Sequence, residues 1–315
     1  MEADGPVWHF VTAGDPADEV VLMVHGYPDT WWANAEVMAL LSDEYYVIAV
    51  DVLGYGQSDK GPEIDVSYAG AAGSLVALLD KIGVKAFNLI SHDRGTIVSE
   101  NLLAIDDMSN RVSAYVRMQQ SFDKPHGLPR PPHAAMASVE FQSQENLAGT
   151  AYSSNYGSVH FPERFLQRLN WEFGFPGTPE AAARTFQGTS FDIELAFRME
   201  NVIPKMTMPV LLVQGTDDPG QKAEEYMTSA ESAARCPCCL GRGEPLPARR
   251  RSPHGGGPCP RAFHQRQCQP TRHGLLAPGE LPVSREELRS PMPYVFMALR
   301  VLVTVIFVAH AAARN

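Results

Sequence analysis

Five short apolar runs alternate along the first 235 residues with segments whose apolar residues recur at helical spacing. The runs are EVVLMVHG (Glu19 to Gly26), YYVIAVD (Tyr45 to Asp51), AFNLIS (Ala86 to Ser91), VSAYVRMQQS (Val112 to Ser121) and MPVLLVQG (Met208 to Gly215). Short apolar runs bounded by turn residues read as buried strands. Between them, WWANAEVMALLS, SYAGAAGSLVALLDKIG and GTIVSENLLAID read as helices, the second closed by Gly83. A further helix is expected from about Gln221 to Ala234. Strands alternating with helices imply an α/β protein, a mostly parallel, doubly wound sheet with helices on both faces. Such sheets bind ligands at the carboxyl ends of their strands. From about Phe122 to Lys205 the rhythm changes: Pro, Ser and aromatic residues rise and no strong strand run appears. The expected organisation is a core over 1–121, a helical lid inserted between strands over 122–205, and the core resumed over 206–235.

Polar clusters at three strand ends carry the chemistry. In SHDRG, Asp93 stands where a strand turns sharply into a helix, with small residues two before (Ser91) and two after (Gly95). That is the pattern of a nucleophile elbow, with Asp where Ser is usual. The helix N-terminus favours an anion there. A bland alternative is that Asp93 merely caps the helix. Ser91 is a weaker nucleophile candidate, because bulky Leu89 lies two places before it. The second cluster, His25-Gly26-Tyr27-Pro28, makes a tight turn after the first run. It can aim the Tyr27 N–H at the site and, with the N–H of Arg94, form an oxyanion hole. The third is QGTDDPGQ, where Asp217 or Asp218 follows the fifth run at the place of a base-orienting carboxylate. Asp218 is the favoured one, and an ordinary Asp-Pro turn is the alternative.

Taken together, HGYPDTWW, DVLGYGQSDK, SHDRG and PVLLVQGTDDP resemble the α/β-hydrolase superfamily over about residues 6–235. They most resemble its Asp-nucleophile branch of epoxide hydrolases and haloalkane or haloacetate dehalogenases. The resemblance implies that Asp93 attacks an sp³ carbon to form an alkyl ester. A His oriented by Asp218 then activates water against that ester. Within the branch, epoxides would need a lid tyrosine as acid, with Tyr152 and Tyr156 the candidates. Halides would need N–H donors such as those of Trp31, Trp32 or Trp171. A haloacid would need a guanidinium such as Arg94, although that type has a second Arg three residues on, where Ile97 stands. An epoxide is the first choice and a halogenated substrate the alternative. A serine esterase using Ser91 and a non-catalytic hydrolase-like binding protein are the rival classes. No cofactor is expected.

The sequence changes character after Arg235. All five cysteines and 11 of the 25 prolines lie in the last 80 residues, which carry 11 Arg, 4 Glu and neither Lys nor Asp. The tail is thus about +7 against −17 for the first 235 residues, within a total of −10. The branch's His should follow the acid by one further strand. His254, His264 and His273 instead sit among Pro, Arg and Gly, so the catalytic His has no candidate in the expected setting. CPCC lacks a paired partner motif, so no metal site is expected. Read one base later with permitted codons, Pro237 to Pro253 can encode a strand followed by His-Phe, the His codon straddling Pro245 and Leu246. An out-of-frame tail over 236–315, poorly ordered around Gln265 to Pro293, is therefore the expectation. The apolar run over 294–312 is long enough for a span, but Arg300 interrupts it. The acidic start MEADGPVW lacks a leader's basic and apolar regions, and the net charge argues against nucleic acid and anionic membrane as partners. A cytoplasmic protein with a small-molecule substrate is the expectation.

Overall fold

The computed structural model describes residues 5–125, 133–155 and 161–214. Tyr156, Asp217, Asp218, the three tail histidines, the helix expected from Gln221 and the run over 294–312 lie outside the described residues. Among the described residues, six strands form one sheet in the order β1-β3-β2-β4-β5-β6. They are β1 (Phe10–Ala13), β2 (Val20–Val24), β3 (Tyr46–Val50), β4 (Phe87–His92), β5 (Val112–Met118) and β6 (Val210–Val213). All neighbours pair in parallel except β1, which runs antiparallel to β3. The five apolar runs supply β2 to β6. The sequence reading missed β1, whose four residues FVTA are partly exposed and carry no buried run.

The strands are continuous apolar runs because both faces are covered. Leu22, Val24, Ile48, Val50 and Leu89 face one apolar cluster, with Leu75, Leu79, Leu102 and Leu103 from the helices. Val21, Met23, Val47, Ala49, Ile90 and Val116 face the other, with Val37, Met38 and Leu41. Those helices are α1 (Ala35–Leu41), preceded by a 3₁₀ turn at Trp31–Asn34, then α2 (Tyr68–Lys81) and α3 (Arg94–Ala104). Ser67 caps α2 through the Gly70 N–H, and Gly83 follows it with φ of 78°. The left-handed conformation there is the one that glycine adopts without strain.

After the short α4 (Met108–Arg111) and β5, the chain leaves the sheet through a run of helices before returning as β6. These are α5 (His133–Met136), α6 (Val139–Gln142), α7 (Leu147–Asn155), α8 (Glu163–Phe173), α9 (Thr178–Thr185) and α10 (Phe191–Phe197), followed by a π turn at Arg198–Val202 and a 3₁₀ turn at Ile203–Lys205. Phe165, Leu169, Phe173, Ala181 and Ala182 bury this insertion against the core cluster. Among the described residues, no helix is long and apolar enough to cross a membrane.

Candidate active site

The site grows from two backbones that approach closely. Asp93 follows β4 with φ of 49° and ψ of −125°, a conformation that is costly for a residue with a side chain. It is the N-cap residue of α3 by position, yet its side chain makes no capping hydrogen bond. The capping alternative therefore fails. One carboxylate oxygen, Oδ1, instead accepts from the Tyr27 N–H at 3.0 Å, and the other, Oδ2, accepts from the Gln120 amide at 2.9 Å. Two glycines make this packing possible. A Cβ on Gly26 would lie 2.4 Å from the Asp93 Cβ, and one on Gly95 would lie 2.2 Å from the His25 carbonyl. No ordinary side chain fits at either place.

His25 is part of the frame. Its ring accepts from the Val52 N–H through Nε2 at 2.9 Å, which leaves Nδ1 to donate to the Gly26 carbonyl at 2.8 Å. Burial lowers its pKa, and a neutral ring suits both bonds. Pro28 follows Tyr27 through a cis peptide bond. The Tyr27 hydroxyl donates to Gln142 on α6, and its ring packs edge-on against Phe173 and Phe186. Ser91 lies within β4, fully buried, its hydroxyl sharing a hydrogen bond with Tyr115 at 2.8 Å. It lies inside the strand, whereas the positive-φ turn into α3 falls at Asp93.

Arg94 opens α3, so its backbone N–H lies beside Asp93 at the helix start. Its side chain is fully engaged. Nε donates to the Tyr68 hydroxyl, and the guanidinium pairs with Glu194 of α10, flanked by the Tyr68 and Phe186 rings. Burial alone would raise the Glu194 pKa. The Arg94 charge and the hydrogen bonds from His133 and Arg94 outweigh that, holding it at about 2. His133 and Thr189 complete the ring of groups around Glu194.

From the insertion, the Tyr152 hydroxyl donates to Asp29 at 2.6 Å. Asp29 follows Pro28, is fully buried, and has its pKa pushed up to about 6 by desolvation, partly offset by His92 and Tyr152. His92 Nδ1 lies 3.9 Å from it, and His92 Nε2 meets the Gln119 side chain at 2.8 Å. Of the tryptophans weighed as halide donors, Trp171 is 59% exposed with Phe175 and Arg168 against its ring, while Trp32 packs on Phe165. Among the described residues there is no cluster of His, Cys, Asp or Glu that could hold a metal.

The structure therefore brings together His25, Gly26, Tyr27, Pro28, Arg94, Gly95 and Asp93, with Tyr152 joined through Asp29. Sequence reasoning missed Asp29, Gln120 and Glu194. Asp29 extends the HGYP turn by one residue, and Gln120 follows a strand end, so both stood where a polar side chain merited inspection. Glu194 had no such signal.

The family described as alpha/beta hydrolase fold matches residues 19–238. Epoxide hydrolase 3 of Siraitia grosvenorii is 33% identical over 102 residues, which cover 31% of this chain and 31% of that protein. Epoxide hydrolase A of Mycobacterium tuberculosis is 29% identical over 195 residues, 58% of this chain and 57% of its own length. The chain thus spans less than two thirds of either relative. The structure of an epoxide hydrolase mutant from Vigna radiata matches with a TM-score of 0.57 at 21% identity, over 76% of this chain and 88% of that one, which is a likeness of fold.

Proposed function

This chain belongs to the α/β-hydrolase fold family, and on that premise we propose that it acts through the Asp93 carboxylate on a neutral electrophilic carbon, an epoxide before any other. The observation that carries the reading is the uncapped Asp93 side chain at a positive-φ elbow, held by the Tyr27 N–H. In the first step Asp93 Oδ2 bonds to a ring carbon. The carbon–oxygen bond of the epoxide breaks, and the ring oxygen takes a proton from a tyrosine hydroxyl, that of Tyr152 or Tyr156. Oδ1 becomes the carbonyl oxygen of the alkyl ester, already facing the Tyr27 N–H. The second step would need a His oriented by Asp218 to activate water against the ester carbonyl. One proton of the water would pass through that His to the departing alkoxide and the other would return to the tyrosinate, releasing a diol and restoring Asp93. The curated relatives named as epoxide hydrolases support this choice.

A haloacid is disfavoured by charge. The Arg94 guanidinium that would receive its carboxylate is already neutralised by Glu194 and enclosed by Tyr68 and Phe186. Asp29 and Glu172 add further buried acid close to the turn. A haloalkane is neutral and stays the runner-up.

No His after Arg235 stands in the expected setting, so the first step is expected to run and the second to stall. Intact mass after incubation with styrene oxide should show one whole substrate added, on the peptide containing Asp93. Asp93→Asn should show none. A haloalkane would add only its alkyl group. Turnover by Asp93→Asn at the wild-type rate would overturn the reading. Neither adduct nor turnover in a folded chain would favour a non-catalytic protein. Resequencing across Arg235, with mass spectrometry of tail peptides, tests the frame of the tail: an intact frame would remove the out-of-frame explanation.

A further inference from the structure

The loop that follows β5 carries two consecutive residues with positive φ, Gln119 at 55° and Gln120 at 73°, neither of them glycine. Such a conformation is strained for a residue with a side chain and persists only where its surroundings hold it. Here the hold is a buried ion cluster. Glu100 of α3 accepts from Arg117 of β5 at 2.9 Å and from Arg198, at the end of the insertion, at 2.7 Å. The remaining donors of the two arginines grip the loop. Arg117 reaches the Gln120 carbonyl at 2.5 Å and the Ser121 carbonyl at 2.9 Å, and Arg198 reaches the Phe122 carbonyl at 3.0 Å. On the other side, the Gln119 N–H donates to Val213 of β6, and its side chain meets His92. The loop is fixed from four directions.

What that fixation delivers is one amide. The buried Gln120 side chain points Nε2 at Asp93 Oδ2, 2.9 Å away. The NH₂ end of the amide faces the carboxylate and donates to it. Oδ1 is already committed to the Tyr27 N–H. The two contacts together fix the plane of the carboxylate, which a single contact would leave free to rotate.

We propose that Gln120 is a positioning residue for the nucleophile, setting the Asp93 carboxylate plane so that Oδ2 presents its remaining lone pair to the substrate carbon. The Glu100–Arg117–Arg198 cluster holds Gln120 and ties that alignment to the stem of the insertion. This rests on the reading of Asp93 as nucleophile. A nucleophile misplaced by a fraction of its reach loses rate steeply, so the effect belongs to bond formation and not to substrate binding.

The test is the rate of adduct formation with styrene oxide on the full chain, followed by intact mass, across pH 5 to 8. Gln120→Ala should form the same adduct about tenfold more slowly or worse, with half-saturation by styrene oxide unchanged. Gln120→Glu keeps the shape and sets two carboxylates against each other. It should be slowest at pH 8 and recover towards pH 5, as the pair takes up one shared proton and the introduced carboxyl again supplies a donor. Wild type should lack that recovery. A purely structural role would lower the melting temperature without creating the new pH dependence. Wild-type rates and pH profiles in both variants would overturn the proposal while leaving Asp93 as nucleophile. If Gln120→Ala fails to fold, a Gln120→Glu profile identical to wild type overturns it alone. Absence of any adduct in wild type would remove the nucleophile reading and this proposal with it.

Discussion

Beneath Asp93 the contacts are made by backbone. Gly26 and Gly95 let two main chains pass within the space of a methyl group, and His25 ties the turn to Val52 through ring and amide. Above it the contacts are made by long charged side chains. Arg94 meets Glu194, and Glu100 meets Arg198, each joining α3 to the end of the insertion. A floor built of backbone tolerates no added atom. A roof built of ion pairs tolerates changes in shape but not the loss of one partner, since a buried charge left alone is costly.

The hardest blow to the floor is Gly95→Ala. Its methyl would need the space of the His25 carbonyl, so a loss of about 4 kcal/mol or more and of all adduct formation is expected. Chemical denaturation and intact mass read the two effects. An unchanged midpoint with full adduct would show that the floor yields and that the contrast is false.

On the roof, Glu194→Gln leaves the Arg94 guanidinium buried without its counter-charge. A loss of about 3 kcal/mol is expected, together with a gain of adduct from chloroacetate relative to styrene oxide, as the freed cation receives a carboxylate. A variant as stable as wild type would mean that the pair contributes little.

Asp29 sits where floor and roof meet. Its carboxyl is pushed up to about 6, above its ordinary 3.8, chiefly by burial. A raised acid favours the folded state at low pH, so that contribution is complete below about pH 4 and is lost as pH rises to about 7. Asp29→Asn removes the titration. Its stability advantage over wild type should grow across that window, to at most about 3 kcal/mol, and stay level above it. Melting temperatures from about pH 4 to 8 check the slope, and a constant gap would sink the assignment. The smallest effect is expected from Trp171→Ala. That ring is exposed, and a change within about 0.5 kcal/mol with an unaltered adduct rate is predicted. A larger shift in the denaturation midpoint would give the outer face of α8 an unrecognised role.

The same contrast explains what could be read from the sequence. Ser91, Asp93 and Gly95 fall within five positions, and His25 to Pro28 within four, so the steric logic of the floor is written locally. The alternation of runs marked the parallel strands for the same reason. The roof is written at long range. Arg94 and Glu194 stand 100 positions apart and Glu100 and Arg198 stand 98 apart. Nothing in either neighbourhood marks one as the partner of the other. Gln120 is hidden differently: its contact with Asp93 depends on two left-handed residues that the letters QQ do not announce. Strand β1 escaped because an edge strand half in water needs no apolar run.

One consequence follows from β5 and β6 being neighbours in the sheet. The insertion leaves from the end of β5 and comes back to the strand beside it, so to the sheet the whole run of helices is a single detour. Closing a longer or shorter detour costs little extra entropy, because the penalty grows only with the logarithm of length. A chain of this design can exchange its helices while the turn that carries Asp93 stays where it is. The exchange has one condition: any replacement must bring its own acid to Arg94, whereas Glu100 keeps Arg117 of β5 as a partner whatever the insertion supplies.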